Sequence, residues 1–348
     1  MLKEARASQS EEHALAGRTR SQIPRIRELG ISVLALVGVS AVLVAGLVTT
    51  TGAQTNSSAT YHLKRGVERY HARDFEAAIA DFSEAIEIHS GLVKSPGKNR
   101  HRSNFKDQQK AEIADDDRII VADSFNALAY YNRGMAWQAK GDVDRALDDF
   151  NQAIAINPRY RDAYLIRGRA WHSKGGFNRA IADYNQAMAL DPRSALAYNN
   201  RGIARKDLQD LAGAITDFDQ ALRLDPRLVQ AYINRGAARC AVGDLAGATA
   251  DLNQAISSDP HNPMAYNNRG TIRQAAGDFT GALADYNQAI RLDPESALAY
   301  VNRGLTRLQQ GDLDGAETDF ARALSLAPAL KPRIERFLRR KSPRDKER

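Results

Sequence analysis

Small and apolar positions recur along most of this chain at one fixed spacing. A glycine returns every thirty-four residues, at Gly134, Gly168, Gly202, Gly236, Gly270 and Gly304. With that glycine at position eight, six units begin at Ala127, Arg161, Ala195, Val229, Pro263 and Ala297. Position four is Tyr in all six, from Tyr130 to Tyr300, and position twenty is Ala, from Ala146 to Ala316. Position twenty-four is large and apolar (Phe150, Tyr184, Phe218, Leu252, Tyr286, Phe320), position twenty-seven is Ala and position thirty-two is Pro. The pattern predicts two antiparallel helices per unit. Gly at eight and Ala at twenty let them approach closely, and the side chain at twenty-four fills the space between. Pairs such as Gly141-Asp142 and Gly277-Asp278 end the first helix with a left-handed cap and open the second. Proline at thirty-two stops the second helix, because its ring cannot continue the hydrogen-bond ladder. One such unit cannot bury its apolar face alone, so a fixed period of this length means a stacked array.

These positions resemble the signature of the tetratricopeptide repeat, and the resemblance covers residues 127–330 without a gap. It implies an all-α, right-handed α-solenoid of six contiguous units: 127–160, 161–194, 195–228, 229–262, 263–296 and 297–330. Their first helices would line a concave groove through positions two, five, six, nine, twelve and thirteen. Such arrays bind protein segments and rarely house chemistry, so a non-catalytic scaffold or adaptor is expected. A further unit at 59–90 carries Gly66, Ala78, Phe82 and Ala85 in register, with Ser90 where Pro is expected. It stands apart in sequence, behind an insert at 91–126 that is basic between Lys94 and Arg102 and reads there as a flexible loop; Asp107–Ser124 is open to a helix. Whether this unit packs on the others is left open by the sequence. After the array, Ile334, Phe337 and Leu338 form a stripe at helical spacing, expected as a capping helix over 331–340, followed by a basic disordered tail, 341–348.

Two positions depart from the usual pattern. Position seven is Arg in every unit (Arg65, Arg133, Arg167, Arg201, Arg235, Arg269, Arg303), and position twenty-three is Asp in every unit (Asp81, Asp149, Asp183, Asp217, Asp251, Asp285, Asp319). Opposite charges that always occur together suggest a ladder of ion pairs between helices. A basic stripe for anions is the competing reading, but residues 127–330 hold 23 Lys/Arg and 23 Asp/Glu and so carry no net charge. Position six is Asn in five of the six units: Asn132, Asn200, Asn234, Asn268 and Asn302, with Ile166 the exception. An amide offers both donor and acceptor, so a regular row can grip a peptide backbone whatever its sequence. The row is similar to the asparagine ladders of tetratricopeptide arrays that hold extended peptides. The plainer reading is that Asn tolerates a solvated position. Tyr131, Asn199, Asn267, Arg169 and Lys206 complete the expected partner-binding set. Leu128, Ile233, Met264 and Val301 supply apolar area, and Gln230 and Gln274 further polar contacts. With only Arg169 and Lys206 as groove cations, a strongly acidic tail is a poor fit, and an extended, moderately apolar segment a better one.

Ile31–Val48 is an uncharged apolar run of eighteen residues. As a helix it would rise roughly 27 Å, close to the hydrocarbon core of a bilayer. Lys3, Arg6, Arg18, Arg20, Arg25 and Arg27 precede it, and no Lys or Arg follows until Lys64. The positive-inside rule then puts a tail of residues 1–29 in the cytosol, a transmembrane helix or signal anchor at 30–50, and the repeats across the membrane, with the periplasmic side of a bacterial inner membrane as the setting expected. Thr51-Gly52-Ala53 offers a weak cleavage site, and cleavage near Ala53 would release a soluble, exported chaperone-like protein instead.

Net charge changes the picture little. Of the formal +7, the tail after Leu330 supplies most, with nine Lys/Arg against three Asp/Glu. Such tails are usually solvated, and no nucleic acid is expected as partner. Cys240 is the single cysteine, which excludes an internal disulfide and a cysteine-built metal site. There is no phosphate loop, nucleophile elbow or zinc-binding histidine pair. Neither cofactor nor small-molecule substrate is expected. Two other readings remain: an assembly factor that binds a folded surface through the apolar residues, and an enzyme with a site in the 91–126 insert.

Overall fold

A computed structural model describes residues 57–93, 124–332 and 334–335. The N-terminal run Ile31–Val48, most of the 91–126 insert, Phe337, Leu338 and the basic tail lie outside the described residues. Among the described residues, no helix is long and apolar enough to cross a membrane. The chain divides between Pro192 and Arg193 into two compact units. All regular structure described in both is helical.

The first unit holds three helical hairpins. They are α1 (Ser57–His71) with α2 (Phe75–Val93), α3 (described over 124–140) with α4 (Val143–Ile156), and α5 (Arg161–Ser173) with α6 (Phe177–Leu190). The hairpin at 57–93 is stacked directly on the next one. Leu63, Phe82, Ile86 and Ala78 share one core with Phe125, Leu128 and Ala136. The His89 ring stacks on Phe125 with centroids 4.4 Å apart, and Arg133 donates to Ser83 Oγ at 3.0 Å. The insert therefore leaves and rejoins the stack at neighbouring points, and it is shorter than its sequence boundaries suggest, because α2 runs on to Val93 and α3 is already helical at Ser124.

The second unit holds four hairpins: α7 (Ala195–Asp207) with α8 (Leu211–Leu224), α9 (Val229–Val242) with α10 (Leu245–Ser258), α11 (Pro263–Ala275) with α12 (Phe279–Leu292), and α13 (Ala297–Gln310) with α14 (Leu313–Leu326). A short 3-10 turn, Pro328–Leu330, follows. Beyond it Ile334 is buried against Val301, Phe320 and Ala323, and so covers the end of the last hairpin.

Three hairpins of the second unit are closed by the same devices, whereas Gln209 takes the glycine's place in the fourth. Gly243, Gly277 and Gly311 sit at φ 92°, 85° and 87°, a region that costs L side chains energy. Asp244, Asp278 and Asp312 then cap the next helix, each accepting the amide three residues on at 2.8–2.9 Å. The glycine at position eight has a different task. A Cβ on Gly202 would lie 2.7 Å from the Phe218 ring and one on Gly270 2.7 Å from the Tyr286 ring. Glycine is what admits an aromatic ring at position twenty-four, and those rings are fully buried.

Candidate functional site

The arginines at position seven hold the hairpins together. Arg201 donates through Nε and Nη2 to the two oxygens of Asp217, at 2.9 and 2.6 Å, and Arg269 grips Asp285 at 2.9 and 2.7 Å. Arg133–Asp149, Arg167–Asp183, Arg235–Asp251 and Arg303–Asp319 repeat this two-point geometry. The position-four ring lies under the guanidinium, as in Tyr232 with Arg235 at 5.6 Å and Tyr300 with Arg303 at 5.4 Å. The third nitrogen reaches back to position twenty-five of the preceding hairpin: Arg235 to Asp219 at 2.6 Å, Arg269 to Asn253 at 2.8 Å, Arg303 to Asn287 at 2.7 Å. The aspartates are buried in every repeat. A buried carboxylate needs its partner; removing one member of such a pair typically costs about 3–5 kcal/mol.

A second cation, at position eleven, joins the same carboxylates. Arg205, Arg239, Arg273 and Arg307 donate to Asp217, Asp251, Asp285 and Asp319 at 2.9–3.0 Å and reach the backbone oxygens of Gly213, Gly247, Gly281 and Gly315 at position nineteen. In the two hairpins from 124 to 190, position eleven is tryptophan and position nineteen is arginine. There Arg145 lies over Trp137 at 4.6 Å and Arg179 over Trp171 at 4.5 Å. The two positions exchange chemistry together: arginine with a small residue, or tryptophan with arginine.

Burial and charge set the carboxylates apart. Burial pushes the Asp81 carboxyl up, but Arg65, His62 and Arg69 outweigh it, and the group lies below its ordinary value. Burial also dominates at Asp149, which meets Arg133 but has no arginine at position eleven and has Asp148 nearby; its carboxyl lies above the ordinary value.

The face carried by the first helices differs from a uniform amide row. Position five, expected to line the groove, is inside: Ile233 is 1% exposed, Val301 0%, Tyr131 3% and Asn199 3%. The first helix of the next hairpin packs across Tyr131 and Ile233, and Ile334 covers Val301, so a residue that starts toward the groove ends between helices. Leu128 is buried in the same way. Where position five is Asn, it accepts from position six of the following hairpin. Asn234 donates to Asn199 at 3.1 Å and Asn302 to Asn267 at 3.0 Å, while Gln230 donates to Asn234 at 3.3 Å. Asn234 and Asn302 are thus tied into the stack. Asn132, Asn200 and Asn268 differ: the amide nitrogens of Asn132 and Asn200 are closed off from water with no hydrogen-bond partner, and Asn268 is half-buried with none through its side chain.

The two expected groove cations also differ. Lys206 Nζ lies 3.7 Å from Asp207. Arg169 is half-buried, and burial lowers its pKa, opposed by the phenols of Tyr184, Tyr131 and Tyr70. The Tyr131 ring packs at 5.1 Å from Tyr160, and its hydroxyl is buried without a partner. Burial raises the Cys240 thiol, which makes it a poor nucleophile. Among the described residues, no group of three His, Cys, Asp or Glu side chains is placed to hold a metal.

Stacked antiparallel hairpins, joined by arginines and carrying unmatched amides on their first helices, define a helical-repeat protein. The family that its repeats match is the tetratricopeptide repeat. Models of that family match residues 127–160, 195–228 and 267–330, and a further TPR-repeat model matches 168–209. The fold is similar to a tetratricopeptide repeat protein from Parabacteroides merdae, with TM-score 0.61 and 20% identity over 81% of this chain and 98% of that one. PilW, a type IV pilus biogenesis factor, gives TM-score 0.55 at 20% identity, over 60% of this chain and 98% of its own. Both likenesses concern the fold. In sequence, a TPR repeat-containing thioredoxin of Arabidopsis thaliana is 36% identical over 93 residues, which are 25% of this chain and 14% of that protein. An uncharacterized protein of Methanocaldococcus jannaschii is 56% identical over 34 residues, 10% of this chain and 40% of its own length. The chain spans less than half the length of either relative.

Proposed function

We propose that this protein is a non-catalytic adaptor that binds an extended peptide segment of a partner along the face of its first helices. One observation carries this reading: Asn268 keeps a partly exposed amide that is not tied into the stack, although the same residue type at Asn234 and Asn302 is matched there. A partly exposed amide offers a donor and an acceptor, which can exchange water for the carbonyl and N–H groups of a peptide backbone. Crosslinked co-purification from native membranes tests it, comparing the intact chain with an Asn132→Ala, Asn200→Ala, Asn268→Ala variant of equal stability. Loss of one partner from the variant is expected; an identical captured set would sink the peptide reading and turn attention to a folded partner surface.

The same proposal holds the array at a membrane, with Ile31–Val48 as an uncleaved anchor and the repeats on the periplasmic side, on the strength of the charge asymmetry around that run. Alkaline extraction should leave the protein in the membrane fraction. Thr51-Gly52-Ala53 favours a second reading, an exported soluble protein, and a mature chain beginning near Gln54 would establish it.

A further inference from the structure

The hairpin of α1 and α2 satisfies its own charges. Arg65 donates through Nε to the two oxygens of Asp81 at 2.9 and 3.0 Å, and through Nη1 to the Tyr61 hydroxyl at 3.2 Å. Arg69 reaches the same carboxylate at 2.9 Å, and a ring nitrogen of His62 lies 3.5 Å from it. Arg235, Arg269 and Arg303 each spend their third nitrogen on the hairpin before them, whereas Arg65 uses its own within the hairpin. Asp81 therefore needs no neighbouring hairpin to neutralise it.

Its polar hold on the next hairpin is light. Arg133 donates to Ser83 Oγ, a neutral acceptor, at 3.0 Å, where Arg235 meets the charged Asp219 at 2.6 Å. An ionised acceptor makes such a bond shorter and stronger. A second contact, Lys140 with Glu76, is an exposed pair, 42% and 77% accessible, and exposed pairs contribute little. The larger contact is apolar: Phe82 and Ile86 share a core with Phe125, Leu128 and Ala136. The connection differs as well. Four-residue loops, 157–160, 225–228, 259–262 and 293–296, join hairpins within each unit, whereas thirty residues, 94–123, separate α2 from α3. An ideal chain of that length closes roughly twentyfold less readily than one of four, and it can span about 100 Å. Connectivity therefore does not decide whether α3 carries its own hairpin or one from another molecule.

We infer that the 57–93 hairpin is a detachable cap that passes between two copies of this chain: it leaves its own α3 and docks on the α3 of a second molecule. The interface already described fixes the occupant. The face that opens, Phe125, Leu128, Ala129 and Ala136, is buried when capped, and the surface shaped to it is that of α1 and α2. Exchange of an identical element remakes each contact it breaks, so it costs little beyond the opening itself, and it links the two chains.

Two exposed ion pairs report the exchange. Glu76–Lys140 joins the cap to the next hairpin, and Asp144–Lys174 joins that hairpin to the one after it, across the loop 157–160. A carbodiimide turns each pair into an amide bond without a spacer. The full chain in detergent, made once with light and once with heavy nitrogen, is mixed in equal parts, incubated and crosslinked. Mass spectrometry then reads the isotopes of both linked peptide pairs. Mixed Glu76–Lys140 pairs should appear, in a fraction that rises with protein concentration, while Asp144–Lys174 pairs stay unmixed. Unmixed pairs at both places overturn the proposal. So does equal mixing at both, which reports association or unfolding of the array as a whole. Ser83→Asp gives Arg133 the acceptor that Arg235 has in Asp219, and it should slow the appearance of mixed pairs on the order of threefold. A rate equal to or above the parent's overturns the light contact at Ser83 as the reason the cap leaves.

Discussion

Asn234 donates to Asn199 across 3.1 Å, from one hairpin to the one before it. An amide that would otherwise face a ligand is thereby fixed within the protein. Asn199→Ala removes an acceptor and leaves the Asn234 amide short of a partner, so it should lower stability by about 0.5–1.5 kcal/mol. Asn268→Ala breaks no hydrogen bond and should stay within about 0.5 kcal/mol of the parent. Urea denaturation of the two variants compares them directly, and equal costs would argue against the pairing.

Gly202 and Gly236 occupy equivalent places but face different neighbours. A Cβ at 202 would meet the Phe218 ring at 2.7 Å, whereas one at 236 would meet Leu252 Cγ at 3.2 Å. Gly202→Ala should destabilise by about 1–3 kcal/mol through overpacking. At Gly236→Ala the helix-propensity gain of about 1 kcal/mol offsets the tighter contact, so little net change is expected. Thermal melts that rank the two variants in reverse would show that position twenty-four does not set the demand for glycine.

Positions eleven and nineteen should be coupled. Arg205→Trp removes the donor to Asp217 at 3.0 Å and should cost about 1.5–3 kcal/mol. Adding Gly213→Arg recreates the arginine-over-tryptophan arrangement of Arg145 and Trp137 and should recover about 0.5–1 kcal/mol of that loss. A double-mutant cycle reads the recovery as a coupling energy, and strict additivity would refute it.

Acid should protonate Asp149 before Asp81. Asp81 lies below its ordinary value, so its contribution to stability is complete above the unfolded value of about 3.9 and is lost as pH falls through the lower folded value. Asp149 lies above it, so ionisation of Asp149 weakens the fold relative to the unfolded chain as pH rises through its folded value. Carboxyl-carbon NMR titration gives the order, and Asp81 titrating first would contradict this account.

Much of this architecture can be read from the thirty-four-residue text, and the reasons for the remainder are specific. The hairpin closures are local, so Gly277-Asp278 announces its own geometry. Position five was misplaced because a register shows which residues recur, not how closely adjoining helices approach; Ile233 shares a core with Ala265 and Ile272 of the next repeat, and Val301 with Ile334 beyond the last one. Position eleven escaped notice because it varies. Its signal was there, since the chain's two tryptophans, Trp137 and Trp171, both fall at that position and both have arginine eight residues on. Arg169 stood in the sequence as one of two groove cations, beside Lys206; that it lies half-buried while Arg133, Arg161 and Arg167 each hold a carboxylate depends on where each side chain ends up.

Arg235 also bears on how the second unit comes apart. In a linear array, stability divides into what each repeat contributes alone and what each junction contributes, and the ratio of the two decides whether repeats unfold together or one by one. Arg235 enters both quantities, because its fork holds Asp251 within the repeat while its third nitrogen holds Asp219 in the repeat before. Asp219 enters only the junction. Asp219→Ala therefore weakens the coupling between neighbours and leaves each repeat's intrinsic stability in place, so the sharpness of unfolding can be changed separately from the strength of the parts.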